Sequence, residues 1–271
     1  MRKPSDEARQ RYAEYVKDYK AAIETVLQKE KQYKESAAKD PAGVNYQRLA
    51  LAEENINLVA SYLLMNSLSQ SFLGVKNENY LNESRKCIYR ALIYLEEIVS
   101  PLVDAPFSDY EAGLATISSF TDENRYNLVR KLGFAIDSIE QEYGEGTKWK
   151  WSFVELEGRF AAVTKNLLNL KTFIAGMDPR VEGYSSRLAH LALARELLAQ
   201  AADRYREKYE LSTMRIDDIK LGISFLAAVR RIHIVLGEAD HADQVKKKAD
   251  IWRAKMEADI KRSEETVKKQ G

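Results

Sequence analysis

The sequence predicts an all-α protein, built as elongated antiparallel helical bundles with coiled-coil-like packing. Three observations carry that prediction. Only 12 Gly and 5 Pro occur in 271 residues, too few for the turns of an all-β sandwich or barrel. Apolar residues make up 45% of the chain and recur at steps of three and four, the spacing of one helix face. No stretch alternates polar and apolar over a useful length, as a half-buried strand would.

The elements follow in order. Ser5 is placed to cap a first helix, with Asp6 and Glu7 complementing its dipole. Its stripe is Tyr12, Val16, Tyr19, Ile23, Val26 and Tyr33, with Glu30 breaking the seam, and Asp40-Pro41-Ala42-Gly43 stops it. A second helix, Val44 to Leu73, carries two apolar stripes: Leu49, Ala52, Ile56, Val59 and Leu63, and Leu51, Leu58, Tyr62, Met65 and Phe72. Two stripes predict a central helix with neighbours on both sides. Asn77 or Asn79 caps a third helix seamed by Leu81, Ile88, Ala91, Leu95, Ile98 and Leu102, which Pro101 kinks or ends.

Ser108 and Glu111 have capping-box spacing before a short helix over about residues 109–119. Thr121 opens the next, seamed by Leu128, Leu132, Ile136, Ile139 and Tyr143. After Gly144-Glu145-Gly146 comes the cleanest seam of the chain: Trp149, Phe153, Leu156, Phe160, Val163, Leu167, Leu170 and Ile174. Its strict alternation of fours and threes predicts one continuous helix up to Gly176. Asp178-Pro179 restarts the chain as N-cap and first residue of a helix carrying Val181, Tyr184, Leu188, Leu191, Leu198, Ala202 and Tyr205, interrupted by Arg195. Ser212 or Thr213 caps a helix with Ile216, Ile219, Ile223, Leu226, Val229 and Ile232, and Gly237 ends it. The last helix, from about His241, carries Val245, Ala249, Trp252, Met256, Ile260 and Val267. We count about seven long helices and one short one.

The halves differ in charge and aromatic content. Residues 1–143 hold 18 basic and 22 acidic residues and 12 tyrosines, whereas 144–271 hold 24, 19 and 3. We therefore expect two helical bundles, 1–143 and 147–271, hinged at 144–146; one continuous helical domain is the alternative. No fixed-period repeat with tetratricopeptide signature positions occurs.

Composition also bounds function. The near balance of 42 basic and 41 acidic residues removes the simplest electrostatic argument for nucleic acid as a partner. One cysteine, Cys87, rules out an internal disulfide and a Cys-rich zinc module. The longest nearly apolar run, Leu221 to Val229, is far short of the ~20 residues that span a bilayer, so no membrane insertion is expected. The first ten residues contain no apolar signal-peptide core, which reads as cytoplasmic; an exported mature domain with an added Met is the alternative.

Candidate chemistry is thin. Glu238 and His241 have Glu-x-x-His spacing, but a ferritin-like centre needs two such motifs and further Glu residues, so we read them as an acidic helix start with Asp240 as cap. His190 and His233 sit in apolar helical contexts without a nucleophile–base motif. Basic neighbours would lower the Cys87 thiol pKa, but its place beside an apolar stripe favours a small buried hydrophobe. Asp217-Asp218 is half an aspartate-rich motif and fits a first-turn dipole partner better. Lys246-Lys247-Lys248 is interleaved with acids downstream and reads as a solvated face. No catalytic, cofactor-binding or metal-binding residue is assigned.

Two features point to partners. Tyr12, Tyr15, Tyr19 and Tyr33 form a wide aromatic arc on the first helix, and Trp149 and Trp151 diverge by about 200° beside the hinge. The sequence thus points to a non-enzymatic helical scaffold or structural protein whose partners are other proteins or further copies of itself. A coat or sheath subunit of a bacterial filament such as a flagellum is one specific form of that reading, although no motif carries it. The alternative is a helical ligand carrier or enzyme with a pocket between helices, lined by the polar run Asn66-Ser67-Leu68-Ser69-Gln70-Ser71.

Overall fold

The computed structural model describes residues 4–36, 43–144, 146 and 149–270. The Asp40-Pro41-Ala42 stop, Glu145 of the expected hinge and the side chain of Val267 lie outside the described residues. The fold is all-α. Among the described residues there are ten helices and no strand: α1 (Asp6–Ser36), α2 (Val44–Leu73), α3 (Glu78–Glu96), α4 (Glu111–Thr116), α5 (Asp122–Tyr143), α6 (Lys150–Asn166), α7 (Leu170–Ala175), α8 (Tyr184–Lys208), α9 (Ile216–Val235) and α10 (Ala239–Gln270). Eight are long, one more than the sequence count.

The chain forms two compact units. The first comprises Met1–Val99 and Ala112–Thr147; the second comprises Ser100–Glu111 and Lys148–Gly271. Ser100–Glu111, which the sequence places before the hinge, thus groups with the later helices.

In the first unit α2 packs against α1, α3 and α5, and both of its stripes are used. Ala52, Ile56 and Val59 are buried on one, Leu51, Leu58 and Met65 on the other. The expected caps form at three helix starts. Ser5 Oγ accepts from the Ala8 amide at 3.2 Å, Asn77 from the amides of Asn79 and Tyr80, and Thr121 from that of Asn124. Glu30, the break in the α1 seam, is buried because α3 supplies its partners. The Tyr94 hydroxyl donates to it at 2.7 Å, and Arg90 Nε lies 3.8 Å from its other oxygen while donating to buried Asn55 at 2.8 Å. A buried carboxylate is tolerable when it is hydrogen-bonded in this way.

Two expectations fail here. α3 ends at Glu96 and does not reach Leu102. Pro101 disfavours helical backbone at the residue before it, and the last turn tightens, with the Ile98 amide bonded to Leu95 O at 3.0 Å. The short helix is only Glu111–Thr116, preceded by a 3₁₀ turn over Phe107–Asp109. Ser108 lies inside that turn and donates to Asp109 Oδ1, so the capping box does not form.

In the second unit α8 packs on α6 and α9, and α9 on α10. The core joins Val154 and Ala161 of α6, Leu198 and Ala202 of α8, Ile219, Phe225 and Leu226 of α9, and Trp252 of α10. At Gly158 the helices approach so closely that an added Cβ would stand 2.7 Å from the Tyr205 ring and 3.1 Å from that of Phe225.

The long seam from Trp149 is not one helix. The chain leaves the helix after Asn166 and restarts at Leu170, where Asn169 caps the Thr172 amide at 3.2 Å. Asn166 faces Ser100–Glu111, donating to the carbonyls of Ser100 (2.9 Å) and Leu102 (3.1 Å). Lys165 donates to Ala105 O at 2.7 Å, Arg231 forks onto Asp104 at 2.9 and 3.1 Å, and Val103 and Phe107 pack on the core. These contacts tie Ser100–Glu111 to the second unit. The next helix starts at Tyr184 after Gly183, not at Asp178-Pro179, because Asp178 accepts from the Arg180 amide and guanidinium in a turn of its own. α8 runs into a π-helical turn, Tyr209–Thr213, where Thr213 Oγ1 accepts from the Arg215 amide.

Candidate functional site

The tyrosines and tryptophans expected to meet partners lie in different units, and most have neighbours within their own. Tyr12 shares a hydrogen bond with Tyr80, oxygen to oxygen 2.9 Å, and burial together with that bond raises its pKa. Tyr33 meets Tyr94 edge-on, with ring centres 6.3 Å apart. Tyr19 is half-buried. Tyr15 stacks on Phe72 at 5.5 Å yet stays 57% exposed, the most open of the four. In the second unit Trp149 and Trp151 are both half-buried. Trp151 packs against the core, and Lys150 Nζ stands 4.9 Å from its ring centre.

The polar run of α2 has structural partners. Asn66 donates to Glu142 at 2.9 Å and accepts from the Asn77 amide at 2.8 Å, and Ser69 donates to Val75 O at 2.8 Å. These bonds hold the α2–α3 turn and the end of α5. A groove lies elsewhere in the first unit, between α1 and α2, with a volume of about 280 Å³ and walls that include Lys29, Tyr33, Gln47 and Glu54.

Other sequence candidates also resolve into structure. Cys87 is fully buried, and burial pushes its thiol up to about 11 despite the opposing charge of Arg90. His190 is buried with Nε2 2.9 Å from Thr164 O. Asp217 is exposed, while buried Asp218 accepts from Thr213 Oγ1 at 2.6 Å and pairs with Lys208 at 2.9 Å. Lys248 pairs with Asp203 at 2.8 Å and lies over the Trp252 ring. Lys165 was not singled out by the sequence. It is 2% exposed, bonded to Ala105 O and set over the Tyr110 ring, and burial pushes its pKa down to about 8. That hydrogen bond ties it to Ser100–Glu111, so its role is that of a tether.

One cluster brings chemistry-bearing residues together. α9 ends in a Schellman turn: Gly237 has φ +74°, its amide bonds to Ile234 O, and the Glu238 amide bonds to His233 O at 2.9 Å. That turn puts Glu238 beside His233, five residues back. The Ala242 amide bonds to Glu238 O, so Glu238, not Asp240, stands at the start of α10, with His241 three residues on along the same face. His233 Nδ1 is 2.5 Å from Glu238 Oε2, and the imidazoles of His233 and His241 stack at 5.3 Å. Arg195, the interruption in the α8 seam, reaches across with Nη1 3.2 Å from Oε1 and Nη2 2.9 Å from Oε2 of Glu238. The bond with His233, joined by Arg195, holds the Glu238 carboxyl below its ordinary pKa. Among the described residues, His233, Glu238 and His241 are a group of possible metal ligands whose donor atoms lie within 4.8 Å of one another. Sequence spacing pointed to Glu238 and His241. It missed His233 and Arg195, because the first joins through a turn and the second through tertiary packing.

Three large apolar side chains are exposed from the end of α7 into the connection that follows it. Ile174, Met177 and Val181 are 58%, 46% and 42% exposed. No helix among the described residues is long and apolar enough to cross a membrane.

These features define an all-α protein of two helical units with a His–Glu–His cluster at one interhelical turn. The chain belongs to the TP0443 family, which it matches over residues 8–260. No curated protein and no solved structure matches it.

Proposed function

We propose that this protein is a non-enzymatic helical scaffold that mediates protein–protein contacts in a larger assembly. The observation that carries this reading is the exposed apolar stretch from the end of α7 into the connection after it. Exposed helix ends and connections are ordinarily polar, yet three large apolar side chains, Ile174 in the last turn of α7 and Met177 and Val181 beyond it, stand open within eight residues of chain. The segment is ordered by its own bonds: the Gly176 amide to Thr172 O at 2.8 Å, and the Arg187 guanidinium to Gly176 O at 3.1 Å. An ordered apolar surface binds at lower entropic cost than a flexible one.

The test compares the wild-type chain with an Ile174→Asp, Val181→Asp double variant. Light scattering across a concentration series and affinity capture from the host are read together, with circular dichroism as the folding control. Self-association or a reproducible partner that the folded double variant loses supports the scaffold. A monomer from which no partner is recovered, or a partner indifferent to both substitutions, overturns it. The α1–α2 groove favours a second reading, a small-ligand carrier. Its volume lies near the lower end of ligand pockets, and a thermal-shift screen with a large specific response would favour that reading over the scaffold.

A further inference from the structure

The His–Glu–His cluster is more than a helix start. We propose that His233, Glu238 and His241 bind one divalent transition-metal ion of the zinc class at the α9–α10 turn. The donor set is two imidazoles and one carboxylate, which suits a borderline cation and leaves a fourth position for water. Bonds of ~2.0–2.1 Å in a tetrahedral centre place ligand atoms about 3.3 Å apart. The three donor atoms already lie within 4.8 Å, so rotation of the exposed His241 ring, with a slight opening of the His233–Glu238 contact, brings them to that spacing.

Three polar contacts converge on His233 Nδ1 and Glu238 Oε2. His233 Nδ1 is 2.5 Å from a carboxylate oxygen, which calls for an N–H there. The same nitrogen is 3.1 Å from Arg195 Nη2, a donor-only group, which calls for a lone pair. One tautomer cannot meet both demands. A metal ion would take the lone pairs of Nδ1 and Oε2 together, with Arg195 Nη2 displaced from both.

Backbone supplies preorganisation. The Schellman turn sets His233 against Glu238, and helical spacing sets Glu238 against His241. His233 is buried and His241 exposed, so the site has a fixed floor and an entry path. Arg195 is the opposing element. It and Glu238 are each about a third exposed, where water screens like charge, and Nη1 on Oε1 is positioned to orient the carboxylate from outside the metal shell. Its Nη2, 2.9 Å from Oε2 and 3.1 Å from Nδ1, must swing outward for the ion to enter, and its charge lowers affinity.

The test is titration of the chelator-stripped full chain with zinc chloride by isothermal calorimetry, for wild type, His241→Ala and Glu238→Gln. We expect one zinc per wild-type chain, a rise in thermal midpoint on binding, and at least about tenfold weaker binding in each variant. Wild-type protein without saturable one-to-one binding overturns the proposal. So does zinc binding undiminished in Glu238→Gln, which would mean that the carboxylate is not a ligand. Glu238→Gln also removes an ion pair with Arg195. His241→Ala, at an exposed position, is therefore the decisive variant if the glutamine form misfolds, and undiminished binding in it overturns the site.

Discussion

Replacing Lys165 with methionine tests how Ser100–Glu111 is held. Lys165 is 2% exposed, and burial lowers the pKa of its amine from 10.5 to about 8, with Asp104 opposing the shift. A lysine with a depressed native pKa binds fewer protons in the folded state than in the unfolded state between those two values. Folded stability therefore rises with pH through that window. The desolvation cost is present in full below pH 8 and is gone above 10.5. The separation corresponds to about 3 kcal/mol at ~1.36 kcal/mol per pH unit. At neutral pH the substitution has two opposed effects: it removes a desolvated charge and leaves Ala105 O without its donor. The pH slope is free of that ambiguity. Urea unfolding of both proteins, at intervals from pH 7 to pH 10.5, isolates it, because tyrosines and other lysines titrate alike in the two. The wild type should gain about 3 kcal/mol on the variant across the window. Parallel profiles would refute the reasoning, since they would mean that the amine keeps its ordinary proton affinity in the fold.

Three further outcomes follow from packing. Gly158→Ala forces a Cβ against the stacked rings of Tyr205 and Phe225 and should cost about 1–3 kcal/mol, read from the urea midpoint; an unchanged midpoint would contradict the close approach. Tyr94→Phe keeps the ring against Tyr33 but takes a donor from buried Glu30, so a loss of about 1–3 kcal/mol is expected in thermal or urea unfolding. The Cys87 thiol should resist a disulfide-exchange reagent at pH 8 in the folded protein and react at once in denaturant, because it is buried and its pKa is pushed up to about 11; rapid labelling of the native chain would refute that burial.

Local periodicity determined a good deal. The two stripes of α2 required neighbours on both faces, and α1, α3 and α5 supply them. Caps at Ser5, Asn77 and Thr121 were legible because a cap is a bond between residues two or three apart. Breaks were harder to see. The 4-3 spacing through Leu167 and Leu170 runs on across the break after Asn166, because a short turn need not disturb the phase of the apolar residues. Ser108–Glu111 and Asp178-Pro179 had the right cap chemistry, but each acid or hydroxyl found a nearer partner in a turn.

The remainder depended on residues far apart in sequence. That Glu30 is buried rests on Tyr94 and Arg90 of α3, and that Ser100–Glu111 joins the second unit rests on Lys165, Asn166 and Arg231. The candidate metal ligands divide along the same line. Glu238 and His241 share a helical register that spacing reveals, whereas His233 enters through a left-handed glycine and Arg195 from another helix. By itself the sequence determined the helices and the faces they bury, because helical periodicity is set by bonds four residues long. Tertiary structure alone decided which polar side chains meet, because contacts between helices depend on packing that no local spacing records.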